Sequence, residues 1–329
     1  MSLEDTLKAK LERGEITQEE YDNLMKKFGD LDLLGSTISS EDKQYDYQER
    51  KDKSWSISGS ATRDGGEISD DVRVSGRLRV NGPLKCPNLK ISGSASFYGD
   101  LSVVDNFKIS GAADIRGVGK FGGVSKVSGK LTIDSDAYFT NSLKISGKAE
   151  FGNDLIIGED LKISGKLEAN SIQSKSSIHL SGVMNLANDL VATEFISSGG
   201  KSDIGGNLEA EIIEIAKRYR EREGYSDSMD DTENIDSLPD LGRFISNIVT
   251  KVLPGIIGGS GTWGTPSIFH VVGSVLGSQI DISYANIEGD IEGDDVIIGP
   301  KVTVGGVIRY KNTITVPENH NFTIEQINE

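Results

Sequence analysis

LKISGKAEFGNDLIIGEDLKISGKLEA, residues 143–169, contains one short phrase twice, Lys-Ile-Ser-Gly, with its two glycines 18 residues apart. Outward from this stretch the apolar-Ser-Gly phrase returns eight times in all. It reads ISG at 57–59, VSG at 74–76, ISG at 91–93 and 109–111, VSG at 127–129, ISG at 145–147 and 163–165, and LSG at 180–182. The steps between glycines are 17, 17, 18, 18, 18, 18 and 17. A period this constant is the mark of a solenoid, whose coils bury their apolar side only against neighbouring coils.

The pattern inside the period separates strand from helix. Two residues after each glycine stand Ala61, Leu78, Ala95, Ala113, Leu131, Ala149, Leu167 and Met184. Four after it stand Val80, Phe97, Ile115, Ile133, Phe151, Ala169 and Leu186, with Arg63 the exception. Four before it stand Val72, Leu89, Phe107, Leu143, Leu161 and Ile178, with Ser125 the exception. Apolar residues at every second position are strand alternation with one face inward. A coil of this length holds three short strands and three corners, and the glycine fits a corner where backbones turn or approach closely. Eight coils stacked at ~4.8 Å make a rod roughly 40 Å long. The expected fold is mainly β, a parallel β-solenoid of 17–18-residue coils.

Outward positions carry charge. Arg73, Lys90, Lys108, Lys126, Lys144 and Lys162 each precede the apolar residue of a phrase, with His179 last, and stacking would place them in one basic ladder. Such a ladder reads either as a solvated face or as a track for an acidic polymer or anionic lipid. Asp100, Asp136, Asp154 and Asp189, seven residues after their glycines, form a second row, read as solvated.

After Gly182 the phrase decays. GGNLEAEIIEI at 205–215 aligns with SGKLEANSIQS at 164–174, matching Leu208 to Leu167 and Ile213 to Ile172. That match favours strand over a competing amphipathic helix reading, with helix from 216 to 223. Residues 217–266 interrupt the coils. They pass from a charged run, through acidic SDSMDDTEN, to a segment in which Leu241, Phe244, Ile245, Ile248, Val249 and Val252 share one helical face. This predicts an inserted helix over 241–253, stopped by Pro254-Gly255. It is a candidate for contact with a membrane surface or a partner, or a cover for the solenoid, and it is too short to span a bilayer. Coil language resumes at 267 and runs to 327, and subtracting about 49 residues from the 67 between Gly206 and Gly273 restores an 18-residue step.

The solenoid thus occupies 55–215 and 267–327. Residues 1–34 form a separate unit: Leu3, Leu7 and Leu11 on one helical face, a turn at Gly14, and Thr17 with Glu20 as a capping box for a second helix. Residues 35–54 are polar and read as a linker.

Composition narrows the function. The chain has 329 residues and a net charge of −16, which argues against nucleic-acid binding because phosphate contacts need a basic surface. A single cysteine, Cys86, suits a reducing compartment and reads as a small core or corner residue. The charged N-terminus lacks an apolar signal core, so a cytoplasmic location is expected, at the inner membrane face if the 241–253 helix anchors there. The three histidines, His179, His270 and His320, have no second His or Cys at metal-ligand spacing, and no phosphate-binding loop or nucleophile elbow is present. No cofactor, metal or catalytic residue is expected.

LERGEITQEEYDNLMKKF at 11–28 resembles SHOCT-type oligomerisation modules, which implies a self-association or tethering hairpin. The K-I-S-G-K coils and the segment GDIEGDDVIIGP at 289–300 resemble bactofilins, the polymer-forming cytoskeletal family. That resemblance covers residues 55–215 and 267–327. It implies a right-handed β-helix that polymerises without nucleotide and scaffolds client proteins, often at the membrane. Two enzymatic readings compete. DVIIGPKVTVGG at 295–306 is similar to the hexapeptide repeats of left-handed β-helix acyltransferases, for which His179 would be the base, and the coils also resemble carbohydrate-processing right-handed β-helices.

The fold itself suggests how such a rod would assemble. Terminal coils expose unpaired backbone groups beside apolar side chains and pair with another rod unless capped. The candidates are Trp55 and Ile57 at one end and Ile314, Val316, Phe322 and Ile324 at the other. The expected function is a non-enzymatic scaffold whose partner is itself, as an oligomer or filament, with the N-terminal or 241–253 helices as competing caps.

Overall fold

The computed structural model describes residues 55–198, 201–215 and 269–327, with six further positions, Lys8, Leu11, Gln18, Tyr21, Asp22 and Met25, each helical. The hairpin over 1–34 (beyond those six positions), the linker over 35–54, and the 217–266 excursion with Phe244, Ile245, Ile248, Val249 and Val252 lie outside the described residues.

The described chain forms one sheet of 31 strands wound into stacked coils, a parallel β-solenoid. Each coil has three faces, numbered here from the corner that carries the Ser-Gly phrase. Face one contains strands such as Lys148–Phe151 and Lys166–Ala169. Face two contains Ala137–Phe139 and Leu155–Ile157, and face three contains Leu143–Ile145 and Leu161–Ile163. Equivalent strands of consecutive coils pair residue on residue, Leu143 with Leu161 and Ile145 with Ile163, so side chains of one kind form rows along the rod.

Alternation drives the core. Leu161 and Ile163 are fully buried while Lys162 between them is exposed, and the same pattern recurs on most rungs of face three. Burying an aliphatic side chain of this size contributes about 1.5–3 kcal/mol relative to exposure, and in a solenoid nearly all of that gain comes from adjacent coils. The Ser125 exception is compensated within its own coil. Ser125 is fully buried, and the bulk it lacks is supplied by Phe121, whose ring stacks on Phe107 at 4.2 Å and on Phe139 at 4.5 Å.

The glycines of the phrase serve close approach, not an unusual backbone angle. A Cβ at Gly147 would lie 2.0 Å from the carbonyl oxygen of Gly129, and one at Gly165 would lie 1.9 Å from that of Gly147. Each carbonyl is also employed, since Lys148 donates its N–H to Gly129 O and Lys166 to Gly147 O.

Past Gly182 faces two and three merge into long bent strands, Leu190–Ser197, Leu208–Ile215, Val275–Ile282 and Ile291–Ile298. Here the sequence alignment needs correction. Leu208 stacks on Leu190, which stacks on Ile172, so it belongs to face two and not to the face-one row of Leu167. The tight glycines also change corner. Gly206, Gly273, Gly289 and Gly306 now sit where the chain passes from face one to face two, with atoms of the preceding coil 2.0–2.6 Å from an added Cβ.

The stack continues across the undescribed 216–268. Ile204 pairs with Val271 and Leu208 with Val275, and Gly273 donates its N–H to Gly206 O at 3.0 Å.

Candidate functional site

At the first coil, Trp55–Ile57 and Ser60–Glu67 pair with Val72–Val74 and Arg77–Cys86 on one edge only among the described residues. Ile57 is 7% exposed and Trp55 half-buried, beside a cleft lined by Ser69, Asp70, Asp71, Arg73 and Pro87. Gly59 differs from its seven equivalents. Among the described residues nothing lies within 4 Å of a Cβ placed there, whereas Gly76 already has the Gly59 carbonyl at 2.0 Å. Among the described residues, nothing at Gly59 takes the place that the backbone of the preceding coil fills at its equivalents from Gly76 to Gly182. Arg63 pairs with Val80 and so takes an inward position, yet it is exposed. An inward charge on a terminal coil is a device that restricts which edges can add to it.

At the other end the last coil is partial. Thr323–Gln326 covers face two alone, pairing with Val307–Thr315 through Ile308 and Ile324. Ile314, Val316, Phe322 and Ile324 are half-buried against the core, and the His320 ring lies parallel to Phe322 at 5.5 Å. Ile327 just beyond is exposed.

Along the rod, Arg73, Lys90, Lys108, Lys126, Lys144 and Lys162 stack in register on face three, with half-buried His179 next on Lys162. All six cations are exposed. Face one carries its own lysines, differently arranged: Lys148 and Lys130 both reach Glu150, the latter at 3.5 Å, and Lys166 reaches Glu168. The Glu150 carboxyl is accordingly held below the usual range, first by its hydrogen bond to Lys148.

The carboxylate row, expected to be solvated, is tied to the next coil, through the side chains of Ser171 and Asn170 at Asp154 and through the backbone at the other three. Val118 N–H donates to Asp100 Oδ1 at 2.8 Å, Asp154 N–H to Asp136 Oδ1 at 3.4 Å, and Asn207 N–H to Asp189 Oδ1 at 2.7 Å. The row runs on through Ser274 N–H to Asn207 Oδ1 at 2.8 Å and Val307 N–H to Asp290 Oδ1 at 2.8 Å. The Val307 N–H and then Arg309, at 2.8 Å, hold the Asp290 carboxyl below its ordinary value. These side chains cap corners between coils. Sequence reasoning saw their period but not their partners, because a donor from the next coil leaves no local signature.

His270, which has no second His or Cys at metal-ligand spacing, bridges two carboxylates across the seam of the excursion, Nδ1 to Asp203 at 2.9 Å and Nε2 to Glu288 at 3.0 Å. Partial burial alone would lower its pKa, but the hydrogen bonds to Glu288 and Asp203 raise it overall. Cys86 is buried, and desolvation, with the nearby Asp71 charge, pushes its thiol up to about 12. Among the described residues no group of His, Cys, Asp and Glu is arranged to hold a metal, and no helix is long and apolar enough to cross a membrane.

Comparison of the chain with protein-family models, with curated proteins and with solved structures finds no match.

Proposed function

We propose that the chain is a structural scaffold that associates with itself through its coil ends, without nucleotide, in the manner the resemblance to bactofilins implies. The observation that supports this reading is that, among the described residues, nothing stacks on Gly59 and the strand edge beside it is paired on one side only. Backbone hydrogen bonds and apolar contact from a second copy would continue the packing that joins every pair of coils inside the rod. The half-buried Ile314, Val316, Phe322 and Ile324 offer a second surface of the same kind. Client proteins would then dock on the outward rows.

Arg63 sets the selectivity of this contact. A copy that stacks on the first coil must meet its guanidinium, and an unpaired buried charge is costly.

Sedimentation velocity and electron microscopy across micromolar concentrations test the reading. Wild-type protein should form elongated assemblies that grow with concentration. Gly59→Leu should abolish them while leaving the unfolding transition unchanged, because nothing described lies within 4 Å of a Cβ placed there. A wild-type protein that stays monomeric throughout would reject the proposal, as would assembly indifferent to Gly59→Leu together with truncation after residue 312.

A further inference from the structure

Six consecutive coils set a cation at one outward position of face three, from Arg73 to Lys162, paired residue on residue. At a rung spacing of ~4.8 Å, neighbouring charges lie well inside the ~8 Å screening length of physiological salt. Like charges directly opposite each other destabilise a sheet, so an anionic partner laid along the row gains by relieving them. The end cations are tempered, Arg73 by Asp71 at 3.3 Å and Lys162 by nearby Asp160. Lys90, Lys108, Lys126 and Lys144 between them meet no carboxylate at ion-pair distance among the described residues. Face one shows the contrast, since Lys130, Lys148 and Lys166 are neutralised in place by Glu150 and Glu168. The four free cations of face three are flanked by neutral residues on both sides. Asn88, Asn106, Val124 and Ser142 stand two positions before them, and an exposed serine stands two positions after each. Val124, at the middle of the row, is 46% exposed.

The surroundings of the row select the chemistry of the partner. The same row continues through His179 and Ile196 to Glu214 and Asp281. A bilayer or a long polyanion laid on face three would therefore meet acidic coils as well as basic ones. Residues 55–182 carry 16 Lys and Arg against 14 Asp and Glu, whereas 183–215 with 269–327 carry 4 against 14, so a short acidic segment confined to the first coils avoids that repulsion. Single-stranded nucleic acid binds on aromatic platforms, and no aromatic residue stands in the row or two positions to either side of it in these six coils. Pitch then decides the conformation of the segment. An α-helix returns a side chain to one side about every 5.4 Å and drifts from the rungs by only ~0.6 Å each. A strand laid along the rod returns one every ~6.7 Å and falls out of step within two rungs. Six rungs span ~24 Å, or about 16 helical residues.

We infer that face three of the first coils docks an acidic helix of a partner protein, its carboxylates along the lysine row and an apolar side chain on Val124. The docking surface lies within one chain and does not depend on assembly through the coil ends. Fluorescence anisotropy of a labelled synthetic helix with the intact protein tests it. The helix is about 16 residues long, with glutamate at every third or fourth position on one side and leucine at its centre. It should bind several-fold more tightly than an isomer of the same composition whose glutamates are spread around the helix. Lys90→Gln, Lys108→Gln, Lys126→Gln and Lys144→Gln together should weaken binding about tenfold, the scale of four exposed ion pairs, and ~1 M salt should do the same. Val124→Ser should weaken it about threefold, through lost apolar contact. Lys130→Gln with Lys166→Gln on face one should change nothing, and Gly59→Leu protein should bind as wild type does, which separates docking from self-association. Equal affinity for the two peptides, or equal affinity of wild type and the fourfold lysine variant, would overturn the proposal. So would phosphatidylserine-rich vesicles that sediment wild type but not that variant, with no preference between the peptides, since the row would then serve a lipid surface.

Discussion

Gly147 and Gly59 look identical in sequence, each closing an apolar-Ser-Gly phrase, and the fold gives them opposite tolerances. Alanine at Gly147 would put its methyl 2.0 Å from the Gly129 oxygen, a backbone atom held by its own hydrogen bond. Two coils must separate to admit it, at a cost of about 1–3 kcal/mol or more. Alanine at Gly59 meets nothing described and should stay within about 0.5 kcal/mol of wild type. Urea unfolding of Gly147→Ala and Gly59→Ala measures both, and equal midpoints would refute the stacking account of the phrase. Cys86 gives a second residue-scale expectation. With its thiol pushed up to about 12 by burial, it should resist a thiol-specific reagent at pH 8 and react only at the rate of unfolding. Rapid stoichiometric labelling of the folded protein would contradict this. At this scale the sequence disclosed which residues face inward, because alternation is a local property. The special standing of Gly59 was not legible, since it depends on which described residues surround it in the fold and not on the phrase itself.

Elements were legible wherever the period carried them. Faces one and three could be placed from the phrase at 145–147 and 163–165 and the residues two and four positions from its glycine. Face two was harder, because its rows are set by corners whose partners lie one coil away: Asp189 is fixed by Asn207, and Asn207 by Ser274 across 67 residues. The same distance in sequence concealed the His270 bridge. Its folded pKa is raised above the ordinary 6.5 by Glu288 and Asp203 against the opposing effect of burial, so the folded chain holds the proton more tightly than the unfolded one. The resulting stability is complete below about pH 6.5 and is lost as pH rises through the folded value. The difference in unfolding free energy between wild type and His270→Gln should therefore shrink between pH 6 and pH 9. A difference that stays constant or widens would show that the bridge does not hold the seam. Asp290 behaves in the opposite sense, since the Val307 N–H and Arg309 depress its value. Its contribution is present above the unfolded carboxylate range and fades as pH falls through the folded one.

At the scale of the molecule the described coils form a one-dimensional stack, in which stability is a sum of coil terms and nearest-neighbour terms. Such an architecture can carry an excursion between two coils because the coils on either side still find each other. Ile215 ends one rung, Phe269 begins the next, and Ile204 meets Val271 as if nothing intervened. Elsewhere the same corner is crossed by two residues, Ser164 and Gly165 between Leu161–Ile163 and Lys166–Ala169. Replacing residues 216–267 by Ser-Gly, which keeps Ile268 at the sequence position equivalent to Lys166, should therefore leave a continuous solenoid. It also removes the entropy of closing a long loop, worth about 0.6 kcal/mol for each halving of its length, or roughly 2–3 kcal/mol in total. The shortened protein should keep the strand signal in circular dichroism, and hydrogen exchange in 269–298 should slow. Loss of protection in 269–298 would mean that the later coils depend on the excursion for more than connection, and that the rod is two cooperative pieces in place of one.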